Sequence, residues 1–115
     1  MTSDRSGGPR ADGRSASGNV AERLAKFRDK IDRLDEQIVR LLNDRAICAL
    51  QVGSLKNKAD LETYQPKREI AVLQHVRDRN SGPLGDNAIT RLFERIIDEN
   101  RRLERQSEEK SNSPE

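Results

Sequence analysis

The chain has no tryptophan, one tyrosine and two phenylalanines in 115 residues. Aromatic rings supply much of the buried area in most cores, so a fold built here depends on Leu, Ile and Val. Scarce aromatics also remove the platforms on which single-stranded nucleic acid stacks. A net charge of only +2 removes the basic field that would draw a duplex. Cys48 is the only cysteine, which excludes an intrachain disulfide and fits a cytoplasmic protein. His75 is the only histidine, so no Cys/His cluster is present for a metal. His75 reads as a surface residue and Cys48 as core packing. No apolar run approaches the length of a membrane span, and the first nineteen residues contain none that would serve as a signal peptide or anchor.

What remains is charge and helical periodicity. Charged residues make up 37% of the chain and are spread along helix faces rather than gathered in blocks. No stretch alternates over the length of a strand and there is no internal repeat, so the expected class is all-α. Residues 1–19, with four glycines and four serines, read as a disordered tail, as do the polar residues 107–115. The folded domain is expected over residues 20–106.

Three helices are predicted. The first starts near Val20 or Ala21, with Asn19 as N-cap, and runs to about Leu55. Its length, about 50 Å at 1.5 Å per residue, exceeds the roughly 30 Å diameter of a compact globule of this size. Such a helix cannot be wrapped by its own chain, and its apolar stripe calls for a second copy. An obligate homodimer is therefore expected. A polar connection, residues 57–63, leads to Pro66 at the first helical position after Gln65 or Tyr64. The second helix carries Ile70, Leu73 and Val76 and ends before Asn80-Ser81-Gly82-Pro83. The third starts near Asp86 and shows Ile89, Leu92, Phe93, Ile96, Ile97 and Leu103.

The stripes are interrupted in three places. From Leu24 to Val52 the 3-4 spacing takes in Leu24, Phe27, Ile31, Leu34, Ile38, Leu41, Arg45, Cys48 and Val52, and eight of these nine positions are apolar. Arg45 is the exception. A guanidinium keeps its proton, so on a buried seam it needs an anionic partner or a wet pocket. Asn100 and Glu104 continue the third stripe in line with Phe93, Ile96 and Ile97. Taken singly, each has a plainer reading as a salt bridge or as the point where a helix leaves the core. Together they point to polar groups around a shared anion-binding cavity.

Five blocks in order carry a family resemblance: Phe27-Arg28-Asp29-Lys30-Ile31-Asp32-Arg33-Leu34-Asp35, Leu41-Leu42-Asn43-Asp44-Arg45, Val52-Gly53-Ser54-Leu55-Lys56, Tyr64-Gln65-Pro66-Lys67-Arg68-Glu69, and Ile96-Ile97-Asp98-Glu99-Asn100-Arg101-Arg102-Leu103-Glu104 after the Gly82-Pro83-Leu84 turn. Over nearly the whole folded segment the chain resembles the all-α chorismate mutases, the AroQ class. The resemblance implies three helices per chain in an intertwined homodimer. It also implies the [3,3] rearrangement of chorismate to prephenate in aromatic amino acid biosynthesis, without cofactor or covalent intermediate. Chorismate is a dicarboxylate that reacts as a compact chair. A catalyst can clamp that chair and stabilise the charge growing on its ether oxygen, and the planar arginine fork suits the clamp.

By position, the resemblance implies Arg45 on one substrate carboxylate and Arg28 reaching the other from the partner subunit. Lys56 would contact the ether oxygen and a carboxylate, and Arg68 would support the local electrostatics. Glu69 would accept a hydrogen bond from the ring hydroxyl. Asn100 would contact a carboxylate, and Glu104 would face the ether oxygen. Arg28 and Lys56 lie about 42 Å apart along one straight helix, so a single chain cannot bring both to one small ligand. Antiparallel pairing of two copies would, giving two composite sites per dimer.

One position departs from the family pattern. Gln65 stands where many relatives have aspartate. Glu104 can donate to an ether oxygen only when protonated. Other readings are a mutase or lyase of the same scaffold acting on 4-amino-4-deoxychorismate or isochorismate, and a non-catalytic helical dimer. The last does not account for three polar interruptions on apolar stripes. No partner among nucleic acids or membranes is expected, and nothing in the sequence specifies docking onto another shikimate-pathway enzyme.

Overall fold

A computed structural model describes residues 13–62 and 65–112. They form three helices, α1 (Gly13–Lys58), α2 (Pro66–Arg79) and α3 (Asp86–Asn112), with no strand among the described residues. The chain divides into two units, Met1–Arg40 and Leu41–Glu115. The described part of the first unit is helix α1 up to Arg40. The second holds the last turns of α1 with α2 and α3.

In the first unit Leu24, Phe27, Ile31, Leu34 and Ile38 are all exposed, Phe27 at 62%. In neither unit is a hydrophobic side chain buried among the described residues. Helices normally gain their stability by burying an amphipathic face, and here that face is open.

The second unit is organised around α3. Arg45 meets Asn100, Gly53 lies against Glu104, and Asn57 Nδ2 donates to Glu108 Oε1 at 3.3 Å. Partners rise together along both helices, so the end of α1 runs parallel to α3. Against α2 the order reverses: Glu69 meets Arg101, while Arg77 donates to Thr90 Oγ1 at 3.3 Å. These two helices are antiparallel.

Helix ends follow local chemistry. At the end of α1, Leu61 N–H bonds to Lys56 C=O at 2.8 Å and Asp60 N–H to Asn57 C=O at 3.2 Å, with Asp60 left-handed at φ 57°. This is the Schellman arrangement with Asp in the position glycine usually takes, one that Asp tolerates. Pro66 opens α2 after Gln65, and α2 closes at Arg79, both as predicted. Tyr64 lies outside the described residues. In the turn to α3, Asn80 Nδ2 donates to Leu84 O and Asp86 Oδ1, both at 2.8 Å. Gly82 has φ +81°, where only glycine is unstrained, and the Gly82–Pro83 peptide is cis.

Two expected boundaries are corrected. Helix α1 already includes residues 13–19, so Asn19 lies inside it and is not an N-cap. Extending an existing helix needs no new nucleus, and residues 14–19 hold no proline, with Gly18 the weakest former. Residues 107–112, assigned by composition to a disordered tail, continue α3. Glu108, Glu109 and Lys110 are good helix formers, and the Asn57–Glu108 bond ties this turn to α1. Residues 1–12 and 113–115 lie outside the described residues.

Candidate active site

A cavity of about 280 Å³ opens within the second unit, between the end of α1, the start of α2 and the middle of α3. Helix α1 supplies Arg45 and Lys56, α2 supplies Arg68 and Glu69, and α3 supplies Asn100 and Glu104. Six of the seven residues singled out from sequence therefore share one wall. Arg28, the seventh, belongs to the first unit, is exposed and does not line this cavity.

The helical register explains the gathering. Arg45 and Lys56 are eleven residues apart, close to three full turns, so they share a face of α1. Asn100 and Glu104 stand at i and i+4 on α3. Arg68 and Glu69 occupy the first turn of α2, where the dipole favours the carboxylate.

Among the described residues Asn100 is the buried polar side chain, 8% exposed. Its carbonyl oxygen accepts from Arg45 Nη1, and the residue lines the cavity. The short polar residue thus aims the guanidinium across the seam. Burial, followed by repulsion from Arg68, lowers the Arg45 pKa, and Glu104 partly offsets this. Arg45 still keeps its proton. The cluster is short of negative charge.

Glu104 behaves in the opposite sense. Burial pushes its carboxyl above the ordinary carboxylate range, Lys56 draws it down, Glu108 adds to the rise, and Arg101 and Arg45 oppose it. Its side chain lies on bare backbone: a Cβ built on Gly53 would stand 3.1 Å from Glu104 Oε2 and 3.5 Å from Cγ.

Two features go beyond what the sequence pattern singled out. Arg101 lines the cavity and forms an ion pair with Glu69 across the α2–α3 contact. It continues the Phe93, Ile97 spacing by one more step of four, so the test that singled out Asn100 and Glu104 would have found it as well. Cys48, which its place on the α1 stripe assigns to core packing, is instead exposed and lines the cavity. The α1 stripe does not close over itself in a single chain. His75 is exposed, as expected.

The cavity therefore presents four cations, Arg45, Lys56, Arg68 and Arg101, against two carboxylates, one of them pushed toward its neutral form. Val52, Val72 and Ile97 supply apolar wall. Such a lining suits a small anion with more than one negative group. Among the described residues no group of three or more His, Cys, Asp or Glu could hold a metal ion.

Comparison with known proteins agrees with this chemistry. The family Chorismate mutase type II matches residues 27–105. The chain belongs to this family. A bifunctional chorismate mutase/prephenate dehydratase of Neisseria gonorrhoeae is 42% identical over 89 residues, covering 77% of this chain and 24% of that protein. The chain thus spans about a quarter of the length of such bifunctional relatives. It also resembles a chorismate mutase of Methanocaldococcus jannaschii, 28% identical over 88 residues, covering 76% of this chain and 89% of that one. Among solved structures, chorismate mutase (form II) from Thermus thermophilus superposes with a TM-score of 0.70 at 34% identity, over 72% of this chain and 94% of that one. The fold is the all-α one that the resemblance implied. No helix among the described residues is long and apolar enough to cross a membrane.

Proposed function

We propose that this chain is a chorismate mutase acting as a homodimer with composite active sites. The observation that carries the reading is the cationic excess of the cavity, matched to a dianion, beside a carboxyl at Glu104 whose pKa burial raises. The rearrangement breaks the ether C–O bond and forms a C–C bond within one molecule, so no nucleophile is consumed and no proton changes place. Arg45, aimed by Asn100, grips one carboxylate, and the Asn100 amide adds a donor. Lys56 and protonated Glu104 converge on the ether oxygen, where negative charge grows in the transition state. Arg68 adds positive potential, and Glu69 receives the ring hydroxyl.

Arg28 of the partner subunit completes the clamp on the second carboxylate. The open apolar positions Leu24, Phe27, Ile31, Leu34 and Ile38 support pairing through α1, since exposed apolar surface on this scale marks an interface. The lone cysteine is consistent with a cytoplasmic enzyme.

The test is loss of chorismate absorbance with purified protein, run beside Arg45→Ala. Wild type should convert chorismate to prephenate, and Arg45→Ala should lose roughly 10³-fold in kcat/KM, the scale of one removed preorganised charge contact, while staying folded and dimeric. A folded, dimeric wild type that leaves chorismate untouched would overturn the reading.

A further inference from the structure

We propose that Arg101 is a positioning residue that sets substrate choice at the hydroxyl end of the site, making it favour a neutral hydroxyl over an ammonium at that ring position. The inference rests on the proposed mutase reading and deepens it. A carboxylate such as Glu69 alone discriminates poorly, because it accepts from a hydroxyl and attracts an ammonium even more strongly. Glu69 is not alone. Arg101 reaches from α3 to pair with it, and both side chains are about 30% exposed, at the wall of the cavity. A contact with Asp98 at 3.5 Å steadies the guanidinium from its own helix.

The pair changes what Glu69 can do. With its charge matched by Arg101, one carboxylate oxygen remains a good acceptor for O–H, and at the cavity wall the pair carries no net charge; Asp98, the other partner of Arg101, is 64% exposed and lies outside the cavity lining, where water screens it. A 4-amino-4-deoxychorismate ammonium placed there would meet Glu69 and Arg101 together, and the guanidinium repels it. The hydroxyl loses nothing by the same arrangement. The other charged groups of the cavity, Arg45, Lys56 and Arg68, are cations as well, with Glu104 the only further carboxyl. None of them restores the negative field an ammonium needs.

The experiment compares kcat/KM for chorismate and for 4-amino-4-deoxychorismate in wild type, Arg101→Gln and Arg101→Lys. Arg101→Gln keeps a hydrogen-bond donor to Glu69 but removes the charge, and it should raise the amino-to-hydroxy ratio roughly tenfold, the size of one charge contact in a partly wet site. Arg101→Lys restores the charge and should return the ratio to that of wild type. Should Arg101→Gln fold poorly, Arg101→Met provides a second neutral variant with the same expected ratio. A merely structural role would lower both substrates together and leave the ratio where it was, which would overturn the inference while leaving the mutase reading intact. A wild-type enzyme that fails on chorismate, or prefers the amino substrate, would remove both.

Discussion

Along α1, Leu24, Phe27, Ile31, Leu34 and Ile38 lie open in the first unit. Past Leu41 the same spacing reaches Arg45, which meets Asn100, and the helix then lays Gly53 against Glu104. One stripe therefore serves two purposes. In the first unit its positions are apolar and exposed. In the second unit the stripe is interrupted by polarity at the turns that face α3. A helix can carry an interface and a site in one heptad-like pattern, and the polar breaks mark where the purpose changes. Arg28 links the two in the proposed dimer: it stands exposed between Phe27 and Ile31, and the proposed function gives it a carboxylate of the partner's site.

The sharpest way to break this comparison is to put a charge into the apolar half. Ile31→Asp places an unpaired carboxylate on the pairing face, which costs several kcal/mol if buried. Sedimentation should show monomer or unfolded chain, and chorismate turnover should fall by two orders of magnitude or more, about the dimer fraction lost. Activity should recover as protein concentration rises, since the proposed composite site draws on both copies. A fully active Ile31→Asp monomer would show that each chain builds its own site, and the division of α1 into two roles would fail.

Much of this is legible in the sequence because helical period 3.6 turns spacing into faces. Counting alone places Arg45, Asn100 and Glu104 on otherwise apolar faces, and Pro66 and the Asn80–Pro83 breaker mark the limits of α2; Lys56, Arg68 and Glu69 are singled out only by the family resemblance. The pairing of Glu69 with Arg101 is not legible, since it depends on how α2 crosses α3, which spacing within one helix does not encode. The extent of the ends departs from expectation for another reason. Serine- and glutamate-rich segments are polar enough to resemble tails, yet they extend helices that other residues have already nucleated. Cys48 reads as core only if the stripe is buried within one chain, the point on which the first unit also departs from an ordinary globular domain.

A smaller effect tests the polar half. Glu104 donates to the ether oxygen only when protonated, and its folded-state pKa is raised, first by burial, with Glu108 adding to the rise and Lys56, Arg101 and Arg45 opposing. A bound dianion raises it further. Activity should be full below that pKa and decline as pH rises through it. The same sign holds for stability: the folded state binds the proton more tightly than the unfolded chain, so any contribution is lost as pH climbs from the ordinary glutamate range upward. Glu104→Gln keeps a donor at all pH values, and its kcat/KM profile should be flat at the alkaline end where wild type falls severalfold. An unchanged alkaline limb in Glu104→Gln would remove Glu104 from the ether oxygen.

The smallest predicted change separates helix propensity from site geometry at one atom. Gly53 lies inside α1, where glycine costs about 1 kcal/mol relative to alanine. Propensity alone says that Gly53→Ala should stabilise the protein. The new Cβ, however, would stand 3.1 Å from Glu104 Oε2 and 3.5 Å from its Cγ, while nothing from the backbone of α3 comes as close. The atoms it meets belong to a flexible side chain, so the contact is relieved by moving the Glu104 carboxyl a few tenths of an ångström rather than by separating the helices. Displacement on that scale matters to a donor aimed at a developing charge. Gly53→Ala should therefore hold or raise Tm by a few degrees while lowering kcat/KM severalfold. In a Glu104→Ala background, with no carboxyl left to displace, the same substitution should keep its effect on Tm and lose its effect on rate. If Tm and activity instead fall together in both backgrounds, the glycine serves the packing of α1 on α3, and Glu104 is not what it was making room for.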